Sequence, residues 1–419
     1  MLSRVLAGIV AGIVCLAAAQ DCSAQLGAEL ISNPLARQLG LERAWAAYVR
    51  VDPSRGRVES VRVHRGICVV QTSQGVIQCL DAENGRAYWT SEVGKPSYPT
   101  LAPAVGDKFI GVTNGATLYL LDRATGALLW QQRLGGSPSA GPAIDGEHIV
   151  VPLDSGILES YKLEREALID HVPQRYMGTG AAQRPPVIEG NRLLWTTPAG
   201  YVYSRELSKD VVQFRFRMND DAVAAPLFMS PFVYAASRRG TVYCLDQESG
   251  LDVWSFSAGN SISHRLVAIN GALYVVTETG DMVRLDPRTG HQVWHQVGVG
   301  RFLAQSSSRV YVVDMSGQLA VLDAASGARL GAMPIPGLEL QIVNADSDRI
   351  YLGTTTGLIQ CLREVQQTKP LEHVAGFAIA PEVKPGAAPA PAPADGTAPA
   401  EAAPPAGGAA PAAANPFGS

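Results

Sequence analysis

At 419 residues, with a formal net charge of -4 and a pI near 6.0, the chain has length for two or three average domains but no basic field to hold nucleic acid. Its 6 cysteines are too few and too scattered for a disulfide-built scaffold, and no CxxC or CxxCH offers a redox pair or a haem attachment.

In chain order, Arg4 precedes the apolar run Val5 to Ala19 and small residues ending Cys22-Ser23-Ala24 before Gln25, the layout of a secretory signal over residues 1–24. No later stretch reaches the roughly 20 apolar residues a membrane span needs. The mature chain is therefore expected to be exported, periplasmic or cell-envelope associated, with no integral span. Cys15 follows Gly12-Ile13-Val14 and Cys22 follows Ala19-Gln20-Asp21, and neither fits a lipid-attachment sequence. Residues 25–43 form a lead segment. Arg50, Arg55, Arg57, Arg62 and Arg65, interspersed with Asp52 and Glu59, read as a solvated surface. Cys68 and Cys79 flank a turn at Ser73-Gln74 and are expected opposite each other on a hairpin, as a strained bridge or as two half-buried thiols.

From here the chain repeats. LDAENGRAYW ends at Trp89, LDRATGALLW at Trp130, LDQESGLDVW at Trp254 and LDPRTGHQVW at Trp294, each with Asp, then Gly four later and Trp eight later. The residues so aligned are Asp81, Gly85 and Trp89; Asp122, Gly126 and Trp130; Asp246, Gly250 and Trp254; and Asp286, Gly290 and Trp294. Asp323 marks a further copy, degenerate copies sit at Lys162 and Glu206, and GLIQCLR ends the series at Arg363. A spacing of about 40 residues, each unit holding four short strands, is the signature of propeller blades. In the second unit the strands are expected over 102–105, 109–113, 117–121 and 128–133, with Gly106-Asp107, Asn114-Gly115 and Thr125-Gly126 as turns. The Asp is suited to bonding backbone N–H groups two residues on, the Gly to a left-handed turn position, and the Trp to the gap between blades, its N–H on a carbonyl of the next blade.

The last copy lacks a fourth strand, while GLERAWAAYVRVD places Trp45 in an outer-strand context with no preceding strands of its own. The fold class is therefore all-β: an eight-bladed propeller of four-stranded antiparallel blades over 44–365, closed by an N-terminal strand over 44–51. Blades three and four lack the turn motif and the Trp, and blade seven has Gly331 at the Trp position. RYMGTGAAQRPP, Arg175 to Pro186, is expected to be the longest irregular connection, either a decayed repeat or a loop for a partner. A linker over 366–383 leads to an Ala/Pro/Gly-rich tail over 384–419, which buries too little to order itself.

Loops before the inner strands converge on the axis, so Lys95, Arg184, Asp220, Asp221, His264, Arg265, Arg301 and Glu339 are the candidate channel-mouth contacts for a ligand or partner. Arg265 and Arg301, in neighbouring blades, are placed to hold an anion together; the competing reading is charges lining a wet channel. Asp220 and Asp221 are adjacent and diverge, His291 and His295 lie too far apart along a strand to share a metal, and no Gly-x-Ser-x-Gly elbow occurs. No catalytic, cofactor or metal residue is assigned.

LDRATGALLW and LDPRTGHQVW resemble the repeats of the PQQ-like β-propeller superfamily, over roughly Trp45 to Arg363. The resemblance implies eight blades and one of two roles. Quinoprotein dehydrogenases hold pyrroloquinoline quinone and calcium in the central channel, commonly beside a disulfide of adjacent cysteines and under long insertions; this chain has neither a Cys-Cys pair nor long insertions. The BamB-like branch is non-enzymatic and serves outer-membrane β-barrel assembly. The expectation is a non-catalytic, cofactor-free scaffold with protein partners in the cell envelope and no nucleic acid. The alternative is a PQQ-dependent oxidoreductase or a small-ligand sensor using the channel.

Overall fold

Turn residues divide each repeat into apolar runs too short for helices, so each run pairs with the next as a hairpin. In blade two, Thr100–Val105, Phe109–Asn114, Thr117–Asp122 and Leu128–Arg133 form one antiparallel sheet in chain order. The computed structural model describes residues 30–373, except 53, 97, 164–171, 209–210, 223 and 263, and these residues form eight such four-stranded sheets. The signal over residues 1–24 and the tail over 384–419 lie outside the described residues.

The chain's two ends share the eighth blade. Leu41–Tyr48 pairs antiparallel with Leu358–Glu364, so this sheet unites the first strand with the last three. The strand begins at Leu41 rather than Ala44 because Glu42 accepts from Arg363 Nε at 2.9 Å, extending the ladder past a bulge between Arg43 and Trp45. It ends at Tyr48 rather than Val51, where the Val49 N–H turns to the Gly357 carbonyl.

Middle strands bury both faces and outer strands do not: Ile67–Thr72 is buried throughout, whereas Ala87–Glu92 is largely exposed. Among the described residues the core consists of eight hydrophobic clusters, one at each interface between neighbouring blades. No cluster occupies the axis, and an open channel remains there.

The turn motif joins blade to blade. Asp122 Oδ1 accepts from the N–H groups of Ala124 (3.1 Å) and Thr125 (2.8 Å), and Gly126 takes φ +71°. The carbonyl after four of the turn aspartates then receives the indole of the preceding blade: Trp45 Nε1 donates to Ala82 at 2.9 Å, Trp89 to Arg123 at 2.9 Å, Trp254 to Pro287 at 3.1 Å and Trp294 to Ala324 at 3.0 Å. The ring lies on the turn glycine. A Cβ at Gly126 would come within 2.3 Å of Trp89, one at Gly85 within 2.5 Å of Trp45, and one at Gly290 within 2.6 Å of Trp254. Glycine is thus needed twice at one position, for its backbone conformation and for the absence of a side chain.

Where tryptophan is missing, other groups take its place. Phe214 of blade four sits on Gly250, whose Cβ would lie 2.3 Å from the ring. At Gly331 of blade seven the space is filled by Leu39, which follows the short helix α1 (Asn33–Arg37). The lead segment therefore packs into the interface of blades seven and eight, with Ile31, Ala36 and Leu41 buried there.

Three details differ from the sequence expectations. Arg175 to Met177 is not loop but the outer strand of blade three, held where Arg175 Nη2 meets Glu159 Oε1 at 3.0 Å. Cys68 and Cys79 are not opposite each other: the register pairs Cys68 with Leu80 and Cys79 with Val69, so the thiols point into different interfaces. Both are free and fully buried rather than half-buried, and burial pushes the Cys68 thiol up to about 12. Residues 366–373 run back along the ring: Leu371 N–H donates to Asp348 Oδ1 at 2.9 Å, His373 N–H to the Asp346 carbonyl at 2.8 Å, and Thr368 accepts from Arg349.

Candidate functional site

Inner strands face the axis, so their side chains and those just before them line the channel. Arg62 lies in the inner strand of blade one (Val58–His64), Arg265 just before that of blade six (Val267–Ile269), and Arg301 within that of blade seven (Val299–Gln305). Arg184 precedes the inner strand of blade four (Val187–Glu189). Two adjoining cavities fill the channel. One, of about 400 Å³, is lined by Arg62, His64, Arg184 and Arg265 and, among the described residues, by no carboxylate. The other, of about 290 Å³, shares Arg62 and Arg265 and adds Arg301, Glu59 and Glu339.

The walls opposite the arginines are apolar. Pro103, Pro142, Pro185, Pro186 and Pro226 come from blades two to five and offer no N–H. The acids nearby already have partners. Glu59 meets Arg57 Nε at 3.0 Å, and Glu339 accepts from Thr355 N–H at 3.2 Å and its hydroxyl at 3.3 Å. Arg301 donates to the Gln341 carbonyl at 3.1 Å, whereas the guanidinium groups of Arg62 and Arg265 have no hydrogen bond or ion pair among the described residues. Arg62 is half-buried and Arg265 exposed; crowding by the channel walls, and then the charge of Arg265, lower the Arg62 pKa, and the same crowding lowers that of Arg265, with Asp346 acting against it. Guanidinium remains charged under any such shift.

At one mouth of the channel, acids from two blades pin the first hairpin turn of blade one. His64 lies 3.5 Å from Asp107 and 3.3 Å from Asp346, and Arg65 Nη1 meets Asp107 at 2.5 Å. Burial pushes the Asp346 carboxyl up, but hydrogen bonds from His64 and the Arg65 N–H, with the charges of His64 and Arg265, outweigh it and hold the group below the usual range.

Of the eight candidates from sequence, Arg184, Arg265, Arg301 and Glu339 line these cavities. His264 feels Arg301 and Arg184 as well as burial, all lowering its pKa, against Glu278. Lys95, Asp220 and Asp221 do not line the channel cavities. Lys95 is exposed, with its ammonium over the Tyr98 ring, while Asp220 faces Arg239 at 3.5 Å and Asp221 faces Arg238 at 3.8 Å within blade five. Arg62 was hidden among neighbouring surface charges, although it precedes Asp81 by as many residues as Pro103 precedes Asp122. That register was the available signal.

A calcium-quinone centre does not fit these residues. Among the described residues no three His, Cys, Asp or Glu side chains converge as a metal site, and both channel glutamates are engaged. No described helix is long and apolar enough to cross a membrane.

Comparison with known proteins places this geometry. The family described as outer membrane protein assembly factor BamB matches residues 73–165 and 192–339, more than half of the chain. The outer membrane protein assembly factor BamB of Moranella endobia is 21% identical over 355 residues, covering 77% of this chain and 90% of that protein. Its counterpart in Shewanella oneidensis is 25% identical over 275 residues, covering 59% and 67%. Among solved structures, BamB from Moraxella catarrhalis superposes with a TM-score of 0.62 at 17% identity, covering 77% of this chain and 97% of that one. The computationally designed Ika8 protein gives 0.61 at 14%, covering 76% and 98%, so these two likenesses speak to the fold alone. With its repeats, closed ring and matched span together, the chain belongs to the family of the outer membrane protein assembly factor BamB.

Proposed function

We propose that the protein is a non-catalytic scaffold of outer-membrane protein assembly, exported to the periplasm by the signal at residues 1–24, with protein partners in the cell envelope. The observation that carries this reading is the family match across seven of the eight blades' sequence, 73–165 and 192–339. The architecture supports it. A ring closed by its own first strand has no loose end to its sheet order, and it holds its loops at fixed angles for recognition. Each outer strand leaves one edge unpaired, flanked by exposed apolar groups such as Leu128, Leu251 and Leu330, an edge to which an extended partner segment can add by main-chain pairing.

The test is deletion of the gene in its host with quantification of β-barrel proteins in the outer-membrane fraction. We expect their levels to fall and the intact gene to restore them. Unchanged levels, together with no cross-link of the protein to any β-barrel assembly component, overturn the proposal.

A further inference from the structure

The channel's charge is not explained by the ring that surrounds it. Arg62 and Arg265 line one cavity of about 400 Å³ with Arg184, and no carboxylate among the described residues shares that lining. Arg62 is half-buried and Arg184 and Arg265 are open to the channel, and like charges held side by side on its wall repel. Folded proteins ordinarily answer such a group with a paired acid. Around Arg62 and Arg265, Glu59 and Glu339 are occupied elsewhere, and Asp346, whose charge reaches Arg265, is hydrogen-bonded by His64 and the Arg65 N–H instead.

The chemistry of the walls narrows the occupant. Proline rings and alanine side chains supply neither donor nor charge, so the polar side-chain contacts of the first cavity come mainly from forked guanidinium groups. Such forks match the paired oxygens of carboxylate and phosphate, and a volume of about 400 Å³ suits a small molecule. We propose that the central channel is a binding site for a small polyanion, a di- or tricarboxylate or a phosphate compound of similar size, clamped by Arg62 and Arg265 with Arg184 and Arg301 at its sides. This inference goes beyond the scaffold reading and does not depend on it.

Calorimetric titration of the full mature chain at low ionic strength, with citrate and with pyrophosphate as probes, tests it. Saturable binding of either probe is expected, and it raises the melting temperature. Arg265→Gln and Arg62→Gln each weaken binding about tenfold or more, as the loss of a charged hydrogen-bonding group should. Without anion, both variants melt no lower than the parent, because each removes one of two repelling charges. Arg265→Lys keeps the charge but loses the fork and is expected to bind with intermediate strength. Binding of citrate alone identifies a carboxylate site and of pyrophosphate alone a phosphate site, and either result supports the proposal. No saturable binding of either probe overturns it, as does binding unchanged in both glutamine variants.

Discussion

A hydrogen atom in place of a side chain decides how neighbouring blades meet. At Gly126 the left-handed backbone would strain any other residue, and a Cβ would also strike Trp89 at 2.3 Å. Gly259 has a similar φ, +79°, with nothing within 4 Å of a Cβ. Substitution to alanine separates the two causes. Gly259→Ala should lose about 1–2 kcal/mol from backbone strain alone, and Gly126→Ala roughly 2–5 kcal/mol, since overpacking against the indole is added. Denaturant unfolding measures both, and equal losses would show that the indole yields freely. The repeat motif displays the glycine and the tryptophan but not that they touch, because the partners belong to successive copies. The same limit hid the thiols: a register one residue off the assumed one separates Cys68 from Cys79 into two interfaces.

At the scale of elements, the N-terminal strand carries the closure. Trp45 is 7% exposed, rests on Gly85 and donates to Ala82, so it docks blade eight onto blade one as the internal tryptophans dock theirs. Trp45→Ala is expected to cost about 3–5 kcal/mol, the range for truncating a buried aromatic. A loss below about 1 kcal/mol in the denaturant midpoint, at unchanged slope, would mean that the remaining ladder closes the ring unaided. Arg349, fully buried and held by Asp348 of its own blade at 3.0 Å, adds a second tie across that seam to Glu83, also at 3.0 Å. Leu39 shows what element-level reading could not reach. Its position at Gly331 follows from the lead segment's path over the ring, and no spacing in the sequence encodes that path.

For the whole molecule, acid should loosen the ring before it reaches the carboxylates. Burial lowers the pKa of His148, against the charges of Asp145 and Glu147, and burial also lowers those of His264 and His373. A histidine that binds its proton less readily when folded contributes stability that is complete above its unfolded value, about 6.5, and is lost as pH falls through the folded value. The melting temperature is expected to drop between about pH 7.5 and 5.5. His148→Gln should flatten part of that slope; an identical slope would assign the effect to other groups. Further down, carboxyl groups held low by their turns, such as Asp246 by Ser249, lose their contribution as they protonate.

Blade number, hairpin turns and closure were legible in the sequence, because each rests on interactions within about 40 residues repeated along the chain. A turn aspartate, a glycine and an indole state their local roles wherever they recur, and Trp45 betrays a missing outer strand by standing without its own blade. The channel was only half legible. Arg265 and Arg301 could be placed on the axis from the loops that carry them, but Lys95, Asp220 and Asp221 stand in similar loops and turn to neighbours instead. Which charges meet is set by the ring itself, which brings Arg62 to Arg265 across about half of the chain's length. No local pattern records such a meeting: the energy that holds the two arginines there comes from eight blade interfaces, none of which contains either residue.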